Sequence, residues 1–415
     1  MKVKITFWTS IFMCFIVQSF AQLNLSTEVR PRSELRYGFA SLPSINQEPA
    51  YLINQRTRLT ADYQKDNLKF RLTGQDARTW GEEDMLSFYE AWIHYDLPKN
   101  WGIRVGRQAL QYDRGRMMAG RNRRQEGFAY DAILAKYAKD SLYVDLGYSL
   151  NNSQANLFGN QFFNNSTFKN FTFGYLKKYF DNGLILSGTA ISAGYQKVNS
   201  DTVFYKQTIG TKVIHSIDKF SFQAEGFYQF GKHNDGRSVS AYLLAGKVGY
   251  KLFKQGTLTL GTEYTSGHDA TNTNVAYQNT LHTFDILEGA RFAFWGNANL
   301  FRNNLEAQTN SGGLTEYFLR LNLNPIKDLS TMITYYQFYL TNPIFDDNNV
   351  IMKQNLGGEL DIITKYRVQK GSTLTLGYSY ILPTNSWQYI QNIAANEGTN
   401  GYYLWLSLAT KIELM

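Results

Sequence analysis

The chain is short of several things. Cysteine occurs once in 415 residues, at Cys14. That position falls in an N-terminal leader described below, so the remaining chain has no disulfide, thiolate metal ligand or cysteine nucleophile. There are only 7 prolines, none of them between Asn100 and Asn324. Such a gap suits a region in which every backbone N–H must be paired. Charged residues are only 18%, and beyond residue 21 no apolar run approaches the ~18 residues of a membrane helix. A helical membrane protein is thereby excluded. Histidines number 5 and are scattered, at His94, His215, His233, His268 and His282. No His-Glu-x-x-His, Gly-x-Ser-x-Gly or phosphate loop is found. No linker, charge block or low-complexity tail marks a second domain.

Aromatic residues are plentiful at 15%, with 29 Tyr, 28 Phe and 7 Trp, which argues against disorder. Lys plus Arg exceed Asp plus Glu by 42 to 34. At the N-terminus, Lys2 and Lys4 precede an apolar stretch from Ile5 to Phe20 that ends in Ser19-Phe20-Ala21. This is the pattern of a secretory signal peptide over 1–21, leaving 22–415 as a single exported domain.

The C-terminal segment gives the fold class. Tyr402, Leu404, Leu406, Leu408, Thr410, Ile412 and Leu414 alternate with Tyr403, Trp405, Ser407, Ala409, Lys411 and Glu413. Period two over this length means one face in an oily medium and one in a polar one, and it covers the ~9–11 residues needed to cross a bilayer at a tilt. The segments 142–149, 257–264 and 373–380 repeat the pattern. Eight tight turns (65–67, 98–100, 139–140, 181–183, 218–219, 254–256, 324–328 and 369–371) alternate with longer polar loops. The expectation is an all-β chain forming one transmembrane antiparallel β-barrel in a bacterial outer membrane, with short periplasmic turns and long extracellular loops. Eight turns imply about 18 strands, starting near 28, 52, 67, 86, 101, 127, 141, 168, 183, 204, 219, 240, 256, 314, 328, 355, 371 and 401. Pro31 and Pro383 are expected near strand ends. Lipid is then an obligatory partner, and barrel-assembly machinery is expected to engage the C-terminal strand.

If the apolar parity faces lipid, the other parity lines the lumen. It contains Arg30, Arg32, Glu34 and Arg36; Arg56, Arg58, Thr60 and Asp62; Lys69, Arg71, Thr73 and Gln75; and Glu90, Trp92 and His94. An arginine on the lipid face costs about 2–4 kcal/mol near the midplane, which enforces this sorting. Arg104 shares the inward parity; Arg107 does so only if Gly106 marks a bulge. From Arg104 to Arg124 there are seven arginines (Arg104, Arg107, Arg114, Arg116, Arg121, Arg123 and Arg124) and one acid, Asp113. Guanidinium suits carboxylate by being planar, permanently charged and bidentate. Two readings stay open. The arginines select anions, or they pair with lumen acids such as Glu90, Asp131, Glu263, Glu359 and Asp361 and stiffen the wall.

Within this stretch, Gly106-Arg107-Gln108, Gly120-Arg121-Asn122, Arg124-Gln125-Glu126-Gly127 and Tyr130-Asp131-Ala132 resemble the hallmark region of the alginate-export porin family. Gln75-Asp76-Ala77-Arg78, Glu90-Ala91-Trp92 and Gly358-Glu359-Leu360-Asp361 are similar to it as well. The resemblance implies an 18-stranded, monomeric outer-membrane channel for an anionic polyuronate, with Arg107, Arg121, Arg124 and Asp131 at its constriction or wall. The chain departs from the family at 368–371, a tight turn where the exporter carries a long periplasmic lid. An anion or acidic-oligosaccharide porin fits that departure.

The segment 267–313 is too long for an idle connector. Its Phe284, Phe292, Phe294, Trp295 and Phe301 could form a lid or stack on sugar rings. Asp346-Asp347-Asn348-Asn349 and the Asn-rich 151–165 could hold Ca²⁺, although such runs are more often solvated loop tips; no metal or cofactor is expected. An enzyme would need a rim Ser–His pair, such as His233 or His268 beside Ser266, and no nucleic-acid module is present. The leading expectation is a passive channel for anionic solutes, not an enzyme. A rim hydrolase and a closed adhesive barrel are the alternatives.

Overall fold

The computed structural model describes residues 22–83, 85–162, 167–394 and 396–414; the leader lies outside them. The strands are β1 (Gln22–Tyr37), β2 (Ala50–Lys65), β3 (Leu68–Thr79), β4 (Leu86–Leu97), β5 (Trp101–Gln108), β6 (Tyr130–Lys139), β7 (Leu142–Leu150), β8 (Asn170–Tyr179), β9 (Ile185–Gln196) and β10 (Val203–Ile217). They continue with β11 (Phe220–Lys232), β12 (Ser238–Phe253), β13 (Gly256–Thr265), the two-residue β14 (Thr280–Leu281), β15 (Leu314–Ile326), β16 (Leu329–Leu340), β17 (Asn355–Gln369), β18 (Ser372–Pro383) and β19 (Gly401–Glu413). Each long strand pairs antiparallel with its neighbours, and β19 closes on β1 from Ser26↔Glu413 to Tyr37↔Tyr402. The result is a closed barrel of 18 strands, with β14 lying parallel to β12 inside a long loop.

Tight turns set the register at one end. Asp66, Asp140 and Asp218 open two-residue links at φ 49°, 51° and 50°, the left-handed geometry that matches strand twist and that Asp tolerates. Period-two alternation then sorts the faces. In β19, Leu404, Leu406 and Leu408 are exposed on the outside while Tyr403 and Trp405 are buried inside. Aromatic pairs mark the interfacial girdles, Tyr37 with Tyr402 at the loop end and Trp101 with Tyr137 and Phe220 with Tyr250 at the turn end.

Two local features differ from the sequence expectation. Pro31 lies within β1, not near its end. It has no N–H, and the β1–β19 ladder skips from Val29↔Thr410 to Arg32↔Ser407, with Ser407 Oγ donating to the Pro31 carbonyl at 3.1 Å. In β4, Thr73 faces Glu90 while Gly74 faces Phe88, so Tyr89 is a bulge residue. Tyr89 and Glu90 therefore both point inward.

Candidate pore site

Two loops enter the barrel, 109–129 after β5 and 266–313 after β13. Each carries an apolar side: Leu110, Met117 and Met118 on the first; Phe284, Ile286, Trp295, Leu300 and Phe301 on the second, all buried in one cluster. The loops meet directly. Met118 bridges to Glu288, and Ala290 N–H donates to the Gly115 carbonyl at 2.8 Å. Gly115 sits at φ +84°, where a Cβ would lie 2.8 Å from that of Ala119, so the approach requires glycine. The aromatics of 267–313 are thus mostly used in packing: Phe284, Trp295 and Phe301 are buried, and Phe292 lines open space.

The wall of β1 and β2 grips the first loop by its backbone. Arg30 donates to Asn122 O and Arg124 O, both at 2.8 Å, and to Gln125 Oε1 at 3.0 Å. Arg32 reaches Arg123 O at 2.9 Å, and Arg56 and Arg58 share Asn122 Oδ1 at 2.7 and 3.1 Å. Carbonyls taken out of water need donors, and a guanidinium fork supplies several at fixed geometry. Of these four, Arg30 and Arg58 have only neutral acceptors, whereas Arg32 also pairs with Glu34 and Arg56 with Glu28. Arg36 shares Glu34 at 2.6 Å. Farther toward the turns, Arg71 bridges Asp62 and Glu90, and Arg104 lies over Trp92 at 4.1 Å.

The far wall holds the loops through charge. Arg116, 3% exposed, joins Glu225 on β11 and Glu263 on β13, with Phe294 over its guanidinium at 3.6 Å and Trp295 Nε1 on the same Glu263 at 2.6 Å. Arg121 pairs with Glu288, and Arg123 donates to Asn297 O at 2.7 Å. Glu359 accepts from Ala298 N at 2.7 Å, and Asp361 accepts from Asn297 N at 2.9 Å. Glu359, Asp361 and Arg116 are fully buried loop anchors, which corrects their expected place along an open pathway. Arg107 and Asp131 need a larger correction. The β4–β5 ladder runs in register through Gly106, so no bulge turns Arg107 inward. It pairs with Asp131 at 2.9 Å on the outer parity at the rim.

Above the packed loops, toward the extracellular end, a cavity of about 890 Å³ opens. It is lined by Arg32, Arg36, Arg121, Arg124, Lys206, Arg291 and Arg302 against Glu126, Asp285 and Glu288. Arg124 and Arg302 are exposed and make no ion pair among the described residues. Burial alone would raise the Asp285 carboxyl, but Lys206 and Arg291 hold it down at about 2. For Glu288 burial prevails over Arg121 and Arg291, and its carboxyl is raised. Sequence reasoning missed Arg291, Arg302, Asp285 and Glu288, since nothing in a loop sequence says which of its residues turn inward, and it missed Lys206, whose place on β10 made its inward parity readable. Ser266 Oγ donates to His282 O and accepts from Tyr242 N. His268 bonds Gln278, and His233 faces Asp235 and Glu306, so no Ser–His pair forms among them. Among the described residues no three His, Cys, Asp or Glu side chains are grouped to hold a metal.

No protein-family model matches the chain, and no characterised protein matches it in sequence. Solved structures do. OccK9 (OpdG) of Pseudomonas aeruginosa superposes with TM-score 0.64 at 13% identity, covering 95% of this chain and 99% of that one. OccK11 (OpdR) of the same organism gives 0.59 at 13%, covering 95% and 96%. Its OpdK, solved with vanillate, gives 0.63 at 10%, covering 94% and 99%. These are outer-membrane porins.

The fold is that of an outer-membrane porin. The barrel accordingly belongs in the bacterial outer membrane. The resemblance to the alginate-export family is not supported: the neighbours are OccD- and OccK-type porins. At such identities the likeness speaks for the fold alone.

Proposed function

We propose that the protein is a passive outer-membrane channel for small anionic solutes. One observation carries this reading: seven cations face three carboxylates around the outer cavity, and Arg124 and Arg302 have no carboxylate partner there. Fixed positive charge in a narrow, low-dielectric mouth concentrates anions and repels cations. The packed loops below this mouth argue for a carboxylate- or phosphate-bearing small molecule, up to a short acidic saccharide, over a threaded polymer. Liposome swelling tests it. Proteoliposomes should swell faster in a small carboxylate than in a neutral sugar of equal size, and Arg124→Gln with Arg302→Gln should remove the difference. Equal rates in the unmodified protein would refute the anion reading.

A closed barrel is the second reading, favoured by the buried Met118, Trp295 and Phe301 between the two loops. It predicts no swelling with any solute.

A further inference from the structure

A second basic cluster lies beyond the packed loops, on the opposite wall. The acidic residues that Arg116 engages form a row across the sheet: Glu225 on β11, in register with Ala245 on β12, and Glu263 on β13, facing Glu316 on β15. Two residues nearer the tight turns Gln223 faces Lys247, and four residues nearer them Thr259 on β13 faces Arg320. Lys247 and Arg320 thus sit on the periplasmic side of the acidic row.

The same small cavity is lined by Lys247, Arg320 and Arg114 from the inserted loop. Lys247 and Arg114 have no hydrogen-bond or ion-pair partner among the described residues. Among the described residues Arg320 donates to Thr334 Oγ1 at 3.0 Å and Tyr336 OH at 2.9 Å, both neutral acceptors. The nearby carboxylates are already engaged: Arg116 takes Glu225 and Glu263, and Lys212 takes Glu225 at 3.3 Å. Glu316 also lines this cavity, buried, with Oε2 unpartnered.

We propose that Lys247, Arg320 and Arg114 form an exit-side binding site for a small oxyanion. Three cationic heads from three separate segments converge on a cavity whose one unpaired carboxylate is Glu316, an excess of positive charge that a multivalent anion completes. The volume, about 40 Å³, is a few times the ~10–15 Å³ that one water requires by the same measure. A sulfate, a phosphate or a carboxylate group fits; a sugar ring does not. Anions leaving the outer cavity would meet a second basic station after the layer in which Arg116 and Lys212 balance Glu225 and Glu263. This rests on the channel reading but can fail separately from it.

Inorganic sulfate is the probe, added to one side or the other of channels in planar bilayers. Arg124→Gln with Arg302→Gln should abolish sulfate block from one side only. Lys247→Gln with Arg320→Gln should abolish it from the other, with the sulfate concentration for half-block rising at least tenfold. Arg114→Gln, on an exposed loop position, should weaken the same side severalfold and serves if the double variant folds poorly. Block that survives both Lys247→Gln/Arg320→Gln and Arg114→Gln would overturn the site while leaving the channel reading intact. A current-free readout separates the two: sulfate should raise the unfolding temperature of the detergent-extracted barrel, and less so in Lys247→Gln/Arg320→Gln. If sulfate stabilises a protein that passes no current, the channel reading falls and the site stands. If sulfate stabilises all variants equally, the site falls.

Discussion

The two halves of the lumen wall hold the same inserted loop in different ways. On β1 and β2, Arg30, Arg32, Arg56 and Arg58 bind the backbone and side-chain oxygens of 122–126. On β6–β9, Tyr130, Leu134, Phe171, Phe173 and Ile191 turn inward and belong to the same buried cluster as Leu110, Met117 and Met118. The basic half acts through direction and leaves charge beside the path. The apolar half acts through area and leaves none. Closure and selectivity should therefore be separable: variants on one side should change how open the lumen is, and variants on the other which ions pass.

The largest effect is expected at the point where the far wall relies on charge. Arg116→Ala leaves Glu263 buried without an ion-pair partner and Glu225 with Lys212 alone, a change that costs about 3–5 kcal/mol. Single-channel conductance should rise severalfold as the loops leave the lumen. Met118→Ala removes packing worth about 2–5 kcal/mol at a buried site. It should raise conductance too, with the anion-to-cation permeability ratio unchanged; a shifted ratio would break the proposed separation. A smaller effect comes from pH. Because burial raises the Glu288 carboxyl, lowering the pH should protonate it before ordinary carboxyls, removing a negative charge from the mouth and freeing Arg121. Anion preference should increase as pH falls through that raised value, whereas Asp285, held at about 2, stays charged. Glu288→Gln should show the stronger preference at neutral pH and no such step. The smallest effect belongs to Arg107→Gln. Its exposed pair with Asp131 lies outside the lumen, so conductance and selectivity should stay as they are and stability should move by less than about 1 kcal/mol.

Much of the barrel was legible because each strand repeats a two-residue code and each turn carries Asp, Asn or Gly. The inward parity of Arg30 to Arg36, Arg56, Arg58 and Arg71 follows from that code. So does the outward parity of Arg107, which the family resemblance had assigned to the constriction. The code fails where an extra residue enters, as at Tyr89, and it says nothing of loops. Arg30 meets Asn122 across 92 positions and Arg123 meets Asn297 across 174. Those partners depend on how two loops fold against each other inside the barrel, and no local periodicity encodes that. Hence the arginines were found and their carbonyl acceptors were not.

The central claim is that unpaired guanidinium charge at the outer cavity sets what passes. Its most direct test is the reversal potential of the purified protein in a planar bilayer under a potassium chloride gradient. The potential should take the sign of chloride preference and move toward zero in Arg124→Gln/Arg302→Gln. A potassium preference, or a potential that the double variant leaves unchanged, would contradict it.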